Sequence, residues 1–189
     1  MKNLFQSALE RSNTSRPPVW FMRQAGRYHS HYRQLRARHS FEDLCKDPEL
    51  AAQVTLGPID DFDFDAAILF SDLLFPLEAL GMPLTYDPGP KLGWHLREAA
   101  DVQRLVLHRD SAAMLEFQAA ALHTIRERLP ASKGLLGFVG GPLTLFFYAA
   151  SGSHQGDLGS AHAGLADGRY ASFCEKLLPL LIQLSLIHI

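Results

Sequence analysis

Cysteine is scarce in this 189-residue chain: only Cys45 and Cys174 occur, far apart and without CxxC or CxxH spacing. That excludes a disulfide framework and a thiolate zinc site, and leaves two free thiols. No uninterrupted apolar run approaches the roughly 20 residues that a membrane helix needs. Residues 1–12 are too polar for a secretory signal, so the expected location is the cytoplasm. Low-complexity tracts and short-period repeats are also missing. With 47% hydrophobic and 20% charged residues, the composition is that of a globular chain able to bury a sizeable core. The formal net charge of −2 gives no global pull toward nucleic acid or an anionic membrane.

A local absence says more. Between Arg11 and Ser40 there is no Asp or Glu, while seven arginines stand there: Arg11, Arg16, Arg23, Arg27, Arg33, Arg36 and Arg38. Lysine is rare, with five in the whole chain. The guanidinium fork matches carboxylate and phosphate, so an anionic partner is indicated.

Strands and helices alternate along the chain. A short opening helix is broken at Arg16-Pro17-Pro18, and Val19-Trp20-Phe21-Met22 reads as a buried strand ending at Arg23-Gln24-Ala25-Gly26-Arg27. Residues 30–38 and 48–62 read as helices, the second with Asp47 as N-cap before Pro48. Ala66 to Phe70 is a second apolar run, leading into Ser71-Asp72. Residues 83–86 and 93–96 suggest a hairpin outside the main sheet. Residues 111–129 form an amphipathic helix stopped by Pro130. Leu135 to Val139 is the third strand, ending at Gly140-Gly141-Pro142-Leu143-Thr144, and a helix then carries Phe146, Phe147 and Tyr148. A Gly/Ser/His-rich loop at 151–159 precedes a last helix at 167–183. Nearly all-apolar strands alternating with helices argue a covered parallel sheet. Polar residues at three successive strand ends favour a (β/α)₈ barrel, with an open doubly wound sheet second.

Three ordered blocks resemble the uroporphyrinogen decarboxylase family. The first is Pro18-Val19-Trp20-Phe21-Met22-Arg23-Gln24-Ala25-Gly26-Arg27-Tyr28, with Tyr32, Arg33 and Arg36 following. The second is Ala66 to Leu74, with Ala79-Leu80-Gly81-Met82 after it. The third is Gly137 to Thr144 with Tyr148. The resemblance spans roughly residues 1–180 and implies a TIM barrel, of which this chain supplies about the first three β/α units, since the whole fold usually takes about 250 residues. It departs from the family at His29-Ser30-His31 and at Leu143. The terminal Leu184-Ser185-Leu186-Ile187-His188-Ile189 does not resemble the family's continuation into a fourth strand, which suggests a truncated or non-native end.

The resemblance implies decarboxylation of the four acetate side chains of a porphyrinogen, with no metal or organic cofactor and a homodimeric assembly. Asp72 is the candidate carboxylate for the pyrrole N–H groups, and Tyr148 a candidate hydrogen-bond donor to a reacting acetate. Arg23, Gln24, Ala25, Gly26, Arg27 and Arg36 are candidate binding residues for the substrate carboxylates, with Arg23 also a candidate proton donor. Arg33 and Arg38 read as solvated helix residues. Other chemistries fit worse. Asp60, Asp61, Asp63 and Asp65 lack the glycine and terminal Glu of a calcium loop. The glycines at 137–141 match neither GxGxxG nor GxxxxGK[ST]. The basic segment is interrupted by an apolar strand, unlike an RNA-binding tract. The competing readings are a cobalamin or thiol methyltransferase of the same superfamily and an incomplete, inactive half-barrel with an unpaired sheet edge.

Overall fold

The computed structural model describes residues 3–86, 88–153 and 155–188. Met1, Lys2, Asp87, His154 and Ile189 lie outside the described residues, and with them the start of the expected hairpin turn, the middle of the 151–159 loop and the last position of the chain. In chain order the helices are α1 (Leu4–Leu9), α2 (Ser30–Arg36), α3 (Phe41–Lys46), α4 (Pro48–Phe62), α5 (Phe75–Ala79), α6 (Ala99–Gln103), α7 (Glu116–Arg128), α8 (Pro142–Ser151), α9 (Gly159–Ala166) and α10 (Arg169–His188). The strands are β1 (Ala66–Ile68), β2 (Leu84–Tyr86), β3 (Pro90–Leu92) and β4 (Gly134–Leu136). The fold is mixed α/β and divides into two compact units.

The first unit comprises Met1–Ser71, Phe117–Phe138 and His188. Its centre is a parallel pair, with Ala66 opposite Gly134 and Ile68 opposite Leu136. Gly134 N–H donates to Asp65 O at 2.8 Å and Leu69 N–H to Leu136 O at 2.9 Å, extending the ladder at both ends. Parallel neighbours so far apart in sequence require a crossover, which is what the alternating pattern predicts. Helices α4 and α7 cover the pair through Ala51, Ala52, Ile59, Ala121, Leu122 and Ile125, with Leu129 just after α7, packed with Ala67 and Leu69. Asp47 caps α4 by accepting from Glu49 and Leu50 N–H, with Pro48 at the first helical turn, as the sequence indicates. Gly57 within α4 is needed for close approach, since a Cβ there would lie 2.4 Å from His31 Cδ2.

The expected buried strand at 19–22 is not a strand. Val19, Phe21 and Met22 are exposed, and the segment is held by one backbone bond, Asp65 N–H to Val19 O at 2.9 Å, and by side chains instead of a full ladder. Pro17 and Pro18 have no N–H to donate. Val19 N–H donates to Asp65 Oδ2 at 2.7 Å, and Phe21 N–H to Gln24 Oε1 at 3.1 Å. Arg16 grips the same Asp65 carboxylate with two N–H groups at 2.6 and 2.8 Å, and it holds the carboxyl below its ordinary range.

The second unit comprises Asp72–Glu116, Val139–Ile187 and Ile189. Phe75, Phe146 and Phe173 are fully buried in it with Leu77, Leu80, Met82 and Leu96, each such side chain contributing on the order of 1.5–3 kcal/mol. The hairpin exists, but its second strand is Pro90–Leu92 and not 93–96, because Tyr86 pairs with Pro90 across a short turn. Gly93 N–H instead donates to Pro83 O, and Leu96 N–H to Ala149 O. The expected helix at 111–129 opens as a 3₁₀ turn at Ala113–Leu115 before α7. The last helix, α10, runs further than 183, from Arg169 to His188, and packs Phe173, Leu177, Leu180, Leu181 and Leu184 inward. By length and composition α10 is apolar enough to cross a membrane, with a mean hydropathy of 1.3 over its most apolar stretch.

Candidate active site

In the first unit, the loop from Phe21 to His29 presents the arginines. It is built by hydrogen bonds that fold it into successive turns: Gln24 N–H to Phe21 O and His29 N–H to Gly26 O. Gln24 is buried, and its amide is committed to the backbone, donating to Ala66 O at 3.1 Å and accepting from Phe21 N–H. It therefore ties the loop to β1. The Tyr28 hydroxyl donates to Gln24 O. Arg33 holds the loop too, since its guanidinium donates to the carbonyls of Arg27 and Tyr28. Sequence reasoning read Arg33 as a solvated helix residue; it is exposed, yet it fixes the carbonyls around Arg27.

With the loop anchored, Arg23 and Arg27 stand exposed. Among the described residues Arg23 makes no hydrogen bond or ion pair through its guanidinium. Arg27 and Arg36 both act on Tyr32, which is buried at 6% exposure on α2. Burial pushes the Tyr32 phenol above its ordinary value, while the nearby cations Arg36 and Arg27 pull it down. Ala25 and Gly26 are partly buried at the bend. His29 is buried and pairs through Nε2 with Asp61 Oδ2 at 2.6 Å, so the His29-Ser30-His31 departure joins the loop to α4. His31 Nε2 meets Gln53 O at 2.9 Å in the same region.

The second unit carries Asp72 and Tyr148. Asp72 is partly buried just before α5. Its Oδ1 accepts from Leu74 N–H at 2.8 Å, a local turn that aims the carboxyl. Burial pushes Asp72 above the usual carboxylate range; the Leu74 N–H, which donates to it, and the Tyr86 phenol oppose that rise. Tyr148 on α8 is raised as well, by burial first and by the Asp72 charge second. The structure thus brings Asp72 and Tyr148 within electrostatic reach of one another. Tyr86, on β2, is a member of this group that sequence reasoning missed; the signal was the alternation of the hairpin, in which Leu84 and Tyr86 turn inward around exposed Thr85. A desolvated carboxylate flanked by phenols is suited to receiving N–H donors of a ligand. The arginine loop is suited to carboxylates. Among the described residues no group of three or more His, Cys, Asp or Glu could hold a metal ion.

The uroporphyrinogen decarboxylase (URO-D) family model matches residues 1–183. A uroporphyrinogen decarboxylase from Anaeromyxobacter dehalogenans is 46% identical over 167 residues, covering 82% of this chain and 47% of that protein. Another, from Trichlorobacter lovleyi, is 41% identical over 179 residues, covering 94% of this chain and 52% of that one. The chain spans about half the length of the curated relatives it matches. A methyltransferase from Methanosarcina mazei superposes with a TM-score of 0.69 at 17% identity, over 94% of this chain and 51% of that one, a likeness of fold alone. From its length-wide family match and these identities, the chain belongs to the uroporphyrinogen decarboxylase family.

Proposed function

We propose that this chain is the amino-terminal part of a uroporphyrinogen decarboxylase, converting uroporphyrinogen III to coproporphyrinogen III. The chain then supplies about the first three β/α units of a (β/α)₈ barrel, with residues 19–22 in the first strand position and β1 and β4 as the next two. The homodimer and the cytoplasmic location belong to the same proposal. The observation that carries the reading is Asp72, a partly buried carboxylate that burial pushes above its ordinary range and whose Oδ1 is oriented by the Leu74 N–H.

The chemistry sets what the residues do. An acetate on a pyrrole loses carbon dioxide only if the breaking C–C bond has somewhere to send its electrons. Protonation of the ring carbon next to the one that bears the acetate, the carbon beside the nitrogen, makes the ring a cation. The C–C electron pair then flows into that ring as carbon dioxide leaves, giving an exocyclic methylene. A second proton converts the methylene to a methyl group, and loss of the first proton restores the pyrrole. The net change takes up one proton per carboxylate. Asp72, accepting hydrogen bonds from pyrrole N–H groups, lowers the energy of the cationic ring, and it does so without reorganisation because the protein has already oriented it. Arg23, Arg27 and Arg36 bind substrate carboxylates, with Arg23 also the proton donor, and Gln24, Ala25 and Gly26 shape the loop that carries Arg23 and Arg27. Tyr148 donates a hydrogen bond to the reacting acetate. The substrate is its own electron sink, so no cofactor enters the scheme.

The test is a chimera in which residues 1–183 replace the matched half of the Anaeromyxobacter dehalogenans relative. It is expected to convert uroporphyrinogen to products with fewer carboxylates, read by chromatography after oxidation to the porphyrins. A folded chimera that leaves the substrate unchanged, under conditions where the parent relative turns over, overturns the proposal.

A further inference from the structure

We infer that the second unit holds a binding site for a small oxyanion, a carboxylate or a phosphate, lined by Trp94, His95, Arg97 and Arg104. The site goes beyond the proposed function and does not rest on it. These residues, with Glu98 and Asp101, line an open cleft of about 570 Å³. The backbone that carries them is pinned. Gly93 N–H donates to Pro83 O at 2.8 Å, Leu96 N–H donates to Ala149 O at 2.8 Å, and Arg169 Nη1 donates to Leu96 O at 2.6 Å. Gly152 at the end of α8 lies against the His95 ring, where a Cβ would stand 3.0 Å from Cε1. The imidazole therefore has little room to turn.

Hydrogen bonding gives the cleft its sign. Asp101 is already engaged: its Oδ2 accepts from Arg97 N–H at 2.9 Å and Glu98 N–H at 3.1 Å, and its Oδ1 from Arg104 Nη1 at 3.2 Å. The donors are not. Arg104 lies flat on Trp94, its guanidinium carbon 4.0 Å from the ring centroid, and its side chain is 53% exposed. Stacking uses the face of the guanidinium and leaves its in-plane N–H groups, of which Nη1 alone reaches Asp101 among the described residues, for the two oxygens of an anion. Arg97 is exposed, and among the described residues its guanidinium makes no hydrogen bond or ion pair. His95 Nδ1 is buried with no partner among the described residues, a placement that costs the fold unless a ligand or water satisfies it. Two guanidinium forks with unused donors on a rigid backbone match an oxyanion.

The experiment uses the 189-residue chain, with the Trp94 indole N–H resonance assigned through Trp94→Phe. Sodium phosphate and sodium succinate are titrated in turn, each against sodium chloride at matched ionic strength. The indole resonance is expected to shift to saturation with phosphate, with succinate or with both, and the anion that saturates tells which chemistry the site takes. Arg104→Gln and Arg97→Gln are each expected to weaken that binding by roughly 10- to 100-fold, the loss that follows removal of one hydrogen bond to a charged group. Arg97→Gln alters an exposed side chain, so it reads binding even where Arg104→Gln disturbs the fold. Glu98→Gln, which removes a lining carboxylate whose charge opposes an anion, is expected to tighten binding. A shift that never saturates, or that matches chloride, overturns the proposal. So does saturation of unchanged strength in Arg97→Gln, or weaker binding in Glu98→Gln. No turnover enters the readout, so its failure is distinguishable from failure of the decarboxylase reading.

Discussion

Replacing Asp72 by Asn in the chimera is expected to lower turnover by about 10²–10³-fold, the usual loss when one preorganised electrostatic group is removed. The same change is expected to raise the melting temperature near neutral pH. The sign follows from the direction of the shift. Burial raises the folded-state value of Asp72 above its ordinary range, so the ionised side chain costs the fold. That cost is absent below the unfolded value, near pH 4, and is fully present once the pH exceeds the folded value. Asparagine removes it, so the gain in melting temperature should be present near pH 7 and fade as the pH falls through the carboxylate range. A group that is kept charged at a cost to stability is characteristic of a functional site. Turnover that survives the substitution contradicts the catalytic role; a melting temperature that falls equally at all pH values contradicts the desolvation argument.

Arg169→Ala is expected to destabilise the chain by about 1–3 kcal/mol, the cost of leaving a buried polar group without its hydrogen-bond partner. Arg169 is 4% exposed. Its Nη1 donates to Leu96 O at 2.6 Å and its Nη2 to Ser160 O at 2.9 Å, while Nε donates to Asp167 Oδ2 at 2.8 Å. One guanidinium therefore joins the start of α10, α9 and the segment after the hairpin. Truncation removes the donor to the buried Leu96 carbonyl and the ties to Ser160 and Asp167. Against a total stability of roughly 5–15 kcal/mol for a domain, the loss consumes a large share. Arg169→Lys should be only partly protective, because an ammonium cannot reproduce the planar fork. Urea unfolding followed by circular dichroism reads the effect; a midpoint within about 0.5 kcal/mol of the parent, the range of ordinary surface substitutions, contradicts it.

The elements that the sequence revealed are those whose signals are local. Helix α4 is announced by Asp47, Pro48 and a long apolar face, and it appears with the expected ends. β1 and β4 are legible as apolar runs, although only three residues of each are paired. The segment 19–22 misled because its composition is that of a strand, whereas its hydrogen bonds go to Asp65 and Gln24, partners that are 40 or so residues away or on the following turn. Helix α9 was hidden because Gly159-Ser160-Ala161-His162-Ala163-Gly164 has poor helix propensity. Its small residues serve contact, since a Cβ at Gly164 would lie 2.5 Å from Phe146 Cζ. In the candidate site, Asp72, Tyr148 and the arginines were legible through motif blocks. Gln24 as a backbone tether and Arg33 as a carbonyl clamp were not, because each acts through a contact that no sequence spacing encodes, and Tyr86 was signalled only by the alternation of the hairpin.

The measurement that tests the central claim most directly is the carboxyl ¹³C resonance of Asp72 in the chimera as coproporphyrinogen, the four-carboxylate product, is added. Pyrrole N–H groups donating to the carboxylate favour its charged form, so the resonance is expected to move on binding and its titration midpoint to fall. A resonance that stays unmoved at saturating coproporphyrinogen would contradict the placement of Asp72 on the pyrroles.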